Sequence, residues 1–326
     1  MKKSLVALAA LAVVGAASAQ SSVTVYGRVT LGLVKDTNGQ SARLDASNGA
    51  SQLGFRGVED LGGGLKATFD LRHRFSPESG SMDGSANARP FWQGSSKVGL
   101  AGNFGSIEIG RMLTALRGPL GNSDPFNTET VANVDVLPTG YLTDFRQADG
   151  AGAARSDVIT YTSPSFGGFS GALSFGPKTS AAVAPRTVGT TNLISAWLSF
   201  ANGPIYVAGG YERNRSDDDI AAILGSYDFG MAKISAGYAQ VDTVAVLGSK
   251  GKNMNLGVSA PFGATTLKAA YGRTRAEGTG LRTTKVGIGA EYALSKRTYV
   301  FTDFARTKPA VGARVNAFDV GISHSF

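Results

Sequence analysis

The chain has 326 residues, with 32 Lys and Arg against 24 Asp and Glu, no cysteine, and 44 glycines beside 11 prolines. The absence of cysteine excludes disulfides, thiol catalysis and thiolate metal sites, and the basic excess carries no cation cluster interleaved with aromatics, so nucleic acid is not an expected partner. A 42% apolar content with mean hydropathy near zero fits neither a disordered chain nor a helical membrane protein, but it suits strands with one oily and one wet face.

Taken from the start, Lys2 and Lys3, the apolar stretch Leu5 to Gly15 and the small residues Ala17-Ser18-Ala19 predict an export signal over 1–19 and a mature start at Gln20. Beyond it no apolar run is long enough to cross a bilayer as a helix. Every second residue is instead apolar across many short segments, the period of a strand. In 64–75, Leu65, Ala67, Phe69, Leu71 and Phe75 share one parity while Lys66, Thr68, Asp70, Arg72 and Arg74 share the other. Similar alternation recurs at Phe169 to Phe175, Ile234 to Tyr238, Met254 to Val258, Val286 to Tyr292 and Phe318 to Phe326. Sixteen segments are expected, near 22–35, 50–59, 64–75, 91–101, 104–111, 155–163, 168–176, 191–201, 204–212, 219–229, 231–241, 252–260, 263–274, 282–294, 297–307 and 314–326. In Leu193 to Phe200 and Ile205 to Tyr211 the pattern leaves the faces unassigned.

The connections alternate between short and long. Tight turns fall at 60–63, 102–103, 164–167, 202–203, 230, 261–262 and 295–296, and longer polar connections at 36–49, 76–90, 112–154, 177–190, 213–218, 242–251, 275–281 and 308–313. A soluble sandwich has no reason for that asymmetry, whereas an up-and-down outer-membrane barrel has short periplasmic turns and long external loops. Closure is required, because an open sheet edge in hydrocarbon leaves unpaired amides and carbonyls. The expected fold is therefore all-β: a 16-stranded antiparallel transmembrane barrel over 20–326 with both termini on the periplasmic side.

Several stretches carry a resemblance to a known family. They are Val23-Thr24-Val25-Tyr26-Gly27, the run from Gly54-Phe55-Arg56-Gly57 to Leu65, Val98-Gly99-Leu100, and Phe104 to Arg111. Tyr161-Thr162-Ser163-Pro164, Phe166-Gly167-Gly168-Phe169, Tyr292 to Thr298 and the ending Val320 to Phe326 complete them. Together and in order they are similar to the trimeric general porins of Gram-negative bacteria, in particular the beta-proteobacterial branch. The resemblance implies a third external loop folded into the lumen, a homotrimer in contact with lipopolysaccharide and outer-membrane lipid, and a terminal Phe326 read by the barrel-assembly machinery. It implies an outer-membrane porin, a water-filled channel for passive diffusion of small hydrophilic solutes and ions, and the basic excess of the chain leans that channel mildly toward anions.

A pore selects at its narrowest plane. The 112–154 connection is the candidate constriction loop and carries Asp124, Glu129 and Asp135, with Asp144 and Asp149 further on. Strand parity places Arg56, Arg72, Arg74 and Lys97 in the lumen, although a solvated rim position is also open to Arg56 and Arg74. The resemblance adds Arg111 and Arg155, flanking the long loop. Alternation gives Arg111 the lipid parity of Ile107 and Ile109, so a bulge or the strand end must turn it inward, because a lipid-facing arginine is costly. Relatives carry an arginine where this chain has Gln52, and another in the strand where this chain has Gly94 to Ser96 before Lys97, so the pore is expected to be less cationic than theirs.

Two other functions remain open. A substrate-specific channel for small organic or inorganic anions would use aromatics, for which Phe126, Tyr141 and Phe145 on the long loop are candidates. A barrel enzyme would need a catalytic set, but the two histidines, His73 and His324, take lipid-facing parity. No cofactor or dedicated metal site is expected. Asp217-Asp218-Asp219 reads as a solvated loop with at most weak affinity for divalent cations, and Gly62-Gly63-Gly64 as a hairpin turn rather than a phosphate loop.

Overall fold

The amphipathic segments become strands of one closed sheet in a computed structural model, which describes residues 21–36, 40–46, 51–82, 90–134, 155–178, 191–215, 217–243 and 249–326. The expected export signal lies outside the described residues. The first eight long strands are β1 Ser22–Lys35, β2 Ser51–Gly62, β3 Leu65–Ser76, β4 Ser95–Gly102, β5 Gly105–Leu113, β6 Arg155–Thr162, β7 Phe169–Gly176 and β8 Leu193–Asn202. The second eight are β9 Ile205–Arg213, β10 Asp219–Asp228, β11 Lys233–Thr243, β12 Ser249–Phe262, β13 Thr265–Ala276, β14 Arg282–Ala293, β15 Thr298–Lys308 and β16 Val315–Ser325. Two short segments, Arg43–Asp45 and Ser81–Met82, pair with the outer ends of β1 and β3.

Each long strand pairs antiparallel with its neighbour in sequence, and β1 pairs with both β2 and β16. The sixteen strands thus form a cylinder with no free edge. At the closing seam Thr30 donates its backbone N–H to Ser51 Oγ at 2.9 Å, and its hydroxyl lies 2.8 Å from Ser323 Oγ. Phe326 continues the ladder, with its N–H on Gly27 O and Gly27 N–H on its own carbonyl, both at 3.1 Å.

The exposed face carries the apolar parity. Val23, Val25, Val98, Ile109, Leu198, Ile223, Leu256, Ile288 and Val320 are all exposed, whereas their neighbours in sequence point into the barrel. Such inversion is stable only where the outside is hydrocarbon. The β2–β3 turn has three consecutive glycines at positive φ, with Gly62 at 85°, Gly63 at 60° and Gly64 at 81°, a sequence of left-handed residues that side chains would strain.

The strand ends differ from expectation in places. The segment expected at 91–101 starts at Ser95, because Gly94 N–H and the Gln93 side chain instead cap the carbonyls of Arg72 and Arg74 at 2.9 and 3.0 Å. The unassigned faces of β8 and β9 are also settled. Leu193, Ser195, Trp197 and Ser199 point inward opposite Gly176, Ser174, Ala172 and Ser170, and Tyr206, Ala208, Gly210 and Glu212 follow on β9.

Candidate functional site

The connection from β5 to β6 begins at Thr114 and folds into the cylinder. Its first turn is pinned by wall hydroxyls that accept backbone N–H groups: Ala115 N on Ser174 Oγ and Leu116 N on Ser195 Oγ, each 2.9 Å. A single helical turn, α1 Arg117–Leu120, and the 3-10 turn Gly121–Ser123 follow. Leu116 and Leu120 pack on Ala208, Ile220, Ala222, Leu224, Ala239 and Val241 of β9 to β11. The loop then crosses β11 and β12, where Ser235 Oγ donates to Ser123 O at 2.9 Å and Asn255 Nδ2 donates to Val134 O at 2.8 Å. Further round, Phe126, Ala132 and Val134 sit with Ala270, Ala305 and Ala317, and Val131 N–H reaches Asp319 Oδ2 at 3.2 Å. Glycines make room for this path: a Cβ at Gly257 would collide with Pro125, and one at Gly287 with Ala132.

The loop acids have separate roles. Asp124 is buried, and its carboxylate accepts the N–H groups of Phe126, Thr128 and Val134 at 3.0, 3.0 and 3.1 Å. It shapes the loop and does not face the lumen water, contrary to the place expected for it. Glu129 forms a bidentate pair with Arg28 of β1 at 2.8 and 2.9 Å and remains partly exposed. It lines a cavity of about 310 Å³ with Asp36, Asp45 and Lys285. Asp135, Asp144 and Asp149 lie outside the described residues, as do Tyr141 and Phe145. Phe126 is buried below the loop with Lys268 Nζ 5.8 Å from its ring centroid, so it offers no face to a solute.

Opposite the loop seat, β2 to β4 carry the expected bases at inward positions. Arg56 is exposed, 5.1 Å from the Tyr26 ring centroid. Arg72 donates from Nε to Tyr26 Oη at 3.1 Å and lies 3.4 Å from Asp70, which accepts the Tyr26 hydroxyl at 2.9 Å. Lys97 pairs with Glu108 at 2.7 Å. Arg74 stands inward opposite Gln52, and Gln52 in turn faces Arg28. Arg111 keeps its outward register opposite Ser96 and Asp157, but it follows Gly110, whose φ of 133° breaks the regular pleat, and its Nε donates to the buried Gln93 carbonyl at 3.1 Å. Arg155 shares a luminal cavity of about 260 Å³ with Arg72, Lys97, Glu108 and Trp197. Arg74, Arg72, Arg111 and Arg117 all lie within electrostatic range of Arg155, whose buried Nε has no hydrogen-bond partner.

The arrangement sets a dense group of guanidinium charges on one side of the lumen against a loop held to the other, and such a transverse field orders water and biases ion passage. Arg28, Asp70 and Glu108 follow the inward parity of their strands, but nothing in the local pattern distinguishes them from the other polar inward residues. Arg117 had no such signal, because a four-residue helix within a long loop has no period to read. His73 and His324 are on the outer face as expected, His73 stacked on Phe91 at 4.2 Å and His324 Nδ1 2.8 Å from Thr298 Oγ1.

Residues 5–309 match the family model described as Gram-negative porin. The chain is 33% identical to outer membrane porin protein 32 of Delftia acidovorans, over 94% of this chain and 90% of that one. It is 28% identical to the major outer membrane protein P.IB of Neisseria meningitidis over the full length of both. Among solved structures it is similar to an anion-selective porin from Comamonas acidovorans, with a TM-score of 0.76, 27% identity, and 94% of this chain and 100% of that one covered.

Proposed function

This chain belongs to the Gram-negative porin family and is an outer-membrane channel, and from that premise we propose that its lumen passes small hydrophilic solutes and ions with a mild preference for anions. The observation that carries the preference is Arg155, placed among Arg72, Arg74, Arg111 and Arg117 and making no ion pair with an acid among the described residues. Two nearby bases are offset, Arg72 by Asp70 and Lys97 by Glu108, which keeps the preference mild. Of the residues read from sequence, Arg56, Arg72, Arg74, Lys97 and Arg155 form the basic side of the constriction in this reading, with Glu129 on the loop side, while Arg111, outward in register, contributes only its charge within range of Arg155. Reversal potentials in a salt gradient across planar bilayers test it: a potential of the sign for anion permeation is expected, and a cation-selective channel overturns it. Saturable block by one solute at low concentration would instead favour a substrate-specific channel.

The relatives are channels, and no catalytic role is assigned to this chain. We take the mature chain to start at Gln20 after removal of an export signal, and Phe326 to serve the assembly machinery as well as the β1–β16 seam. A homotrimer is carried over from the family resemblance, with the apolar outward residues of the first strands and the last strand, such as Val23, Val25, Val320 and Ile322, as its candidate interface. A monomer in mild detergent would count against it.

A further inference from the structure

The cavity of about 310 Å³ beside Glu129 lies between the loop and the ends of β1 and β14 to β16 that carry the long connections. Its volume falls at the lower end of the range of small-molecule sites, about 300–1,000 Å³. Its wall has three chemically different parts.

One part is basic. Lys285 takes an inward position on β14, between Gly272 and Thr307 in the ladder, and makes no hydrogen bond or ion pair among the described residues. The carboxylates within its electrostatic range, Asp124 and Asp319, are turned to the loop backbone: Asp124 accepts the N–H groups of Phe126, Thr128 and Val134, and Asp319 accepts that of Val131. The second part is acidic. Arg43 meets Asp36 at 2.9 Å and Asp45 at 2.7 Å, and one guanidinium set against two carboxylates leaves that side of the cavity net acidic. Glu129, held by Arg28, adds a carboxylate that is still 31% exposed. The third part is apolar, formed by Val34, Val131, Val315 and Ala317.

We propose that this cavity is a binding subsite for a zwitterionic amino acid with an aliphatic side chain, of which leucine is the type. An ammonium without a partner and a net acidic patch in one cavity call for a ligand that carries both signs, because a simple anion would meet the carboxylates and a simple cation would meet Lys285. Charge-assisted hydrogen bonds hold the ligand carboxylate to Lys285 and its ammonium to Asp45 and Glu129, and the aliphatic chain leaves water on the four apolar residues. The inference rests on the reading of the chain as a solute channel, which brings the ligand to the cavity, and not on the anion preference of the lumen.

The test is isothermal titration calorimetry of the full-length protein in detergent with L-leucine. Saturable binding is expected for the wild type, and binding at least about tenfold weaker for Lys285→Gln, since a hydrogen bond to a charged group is lost. Isocaproate, which lacks the ammonium, isoamylamine, which lacks the carboxylate, and glycine, which lacks the side chain, should each bind more weakly than leucine. Val315→Phe fills the apolar part and should also weaken leucine binding, an independent arm should Lys285→Gln fail to fold. Absence of saturable leucine binding by the wild type, wild-type affinity in either folded variant, or isocaproate, isoamylamine or glycine binding as tightly as leucine overturns the proposal. Planar-bilayer recording on the same preparation keeps the two readings apart: absent or cation-selective conductance strikes the proposed function, and leucine binding with these preferences supports the site in either case.

Discussion

Two sides of the same lumen wall follow one alternation rule and end in different surroundings. On β2 to β4 the inward positions hold Arg56, Asp70, Arg72 and Lys97 and meet water, while on β9 to β11 they hold Ala208, Ile220, Ala222, Leu224, Ala239 and Val241 and meet the inward loop. Inward is therefore not the same as wet. The barrel lines its lumen with charge where solutes pass and with small or apolar side chains where its own loop must dock, because a buried unpaired charge under the loop would be costly.

The strongest way to break this contrast is to loosen the loop from its apolar seat. Leu116→Ala leaves a cavity at a position that is 2% exposed, and it should cost the docked loop about 2–5 kcal/mol. The effect should be read as faster proteolysis and amide exchange within the loop while the barrel keeps its denaturation profile; an unaltered loop would show that apolar packing does not hold it. Arg215→Ala acts on the other side, at the root of β6. Arg215 is fully buried and donates to Pro177 O at 2.9 Å, Ser156 Oγ at 2.6 Å and Asp157 O at 3.0 Å, next to Arg155. Its loss should cost about 1–3 kcal/mol for the groups left without a partner and make single-channel conductance noisier; steady wild-type currents would show that β6 does not need this clip.

Arg155→Gln sharpens the comparison electrically. Removing one charge from the arginine group changes the field at the pore by about 1 kcal/mol for an ion passing a few ångströms away, so anion preference should fall several-fold in reversal-potential measurements. Stability should not fall, since the change relieves repulsion from Arg72, Arg74, Arg111 and Arg117; a destabilised barrel would point to a structural role instead. The smallest effect is expected where the two sides touch. A double-mutant cycle on Arg28→Ala and Glu129→Ala should give a coupling of about 0.5–1 kcal/mol, because the pair is bidentate but partly exposed. The coupling should shrink as salt rises, and a salt-independent value would mean that the contact is not electrostatic.

Legibility differed between these regions for a physical reason. Arg56, Arg72, Arg74 and Lys97 were placed inward from sequence because β2 to β4 have polar inward and apolar outward residues around them, so the period is plain. In β8 to β10 Trp197, Leu193, Ile220 and Leu224 also face inward, so both parities are apolar and the period fades. Asp124 and Glu129 looked alike in the long loop, yet one caps backbone amides and the other meets Arg28. Arg111 carried lipid parity, and only the positive φ of Gly110 together with the Gln93 carbonyl shows how its guanidinium is accommodated.

The sequence by itself determined the cylinder, because a period of two, short turns and long loops are local properties that persist strand after strand. Only the tertiary structure decided which inward positions face water and which face the loop. The loop is fixed by contacts between residues far apart in the chain, such as Leu116 with Ser195, Ser123 with Ser235 and Val131 with Asp319. No local pattern encodes a docking partner that lies many strands away along the chain.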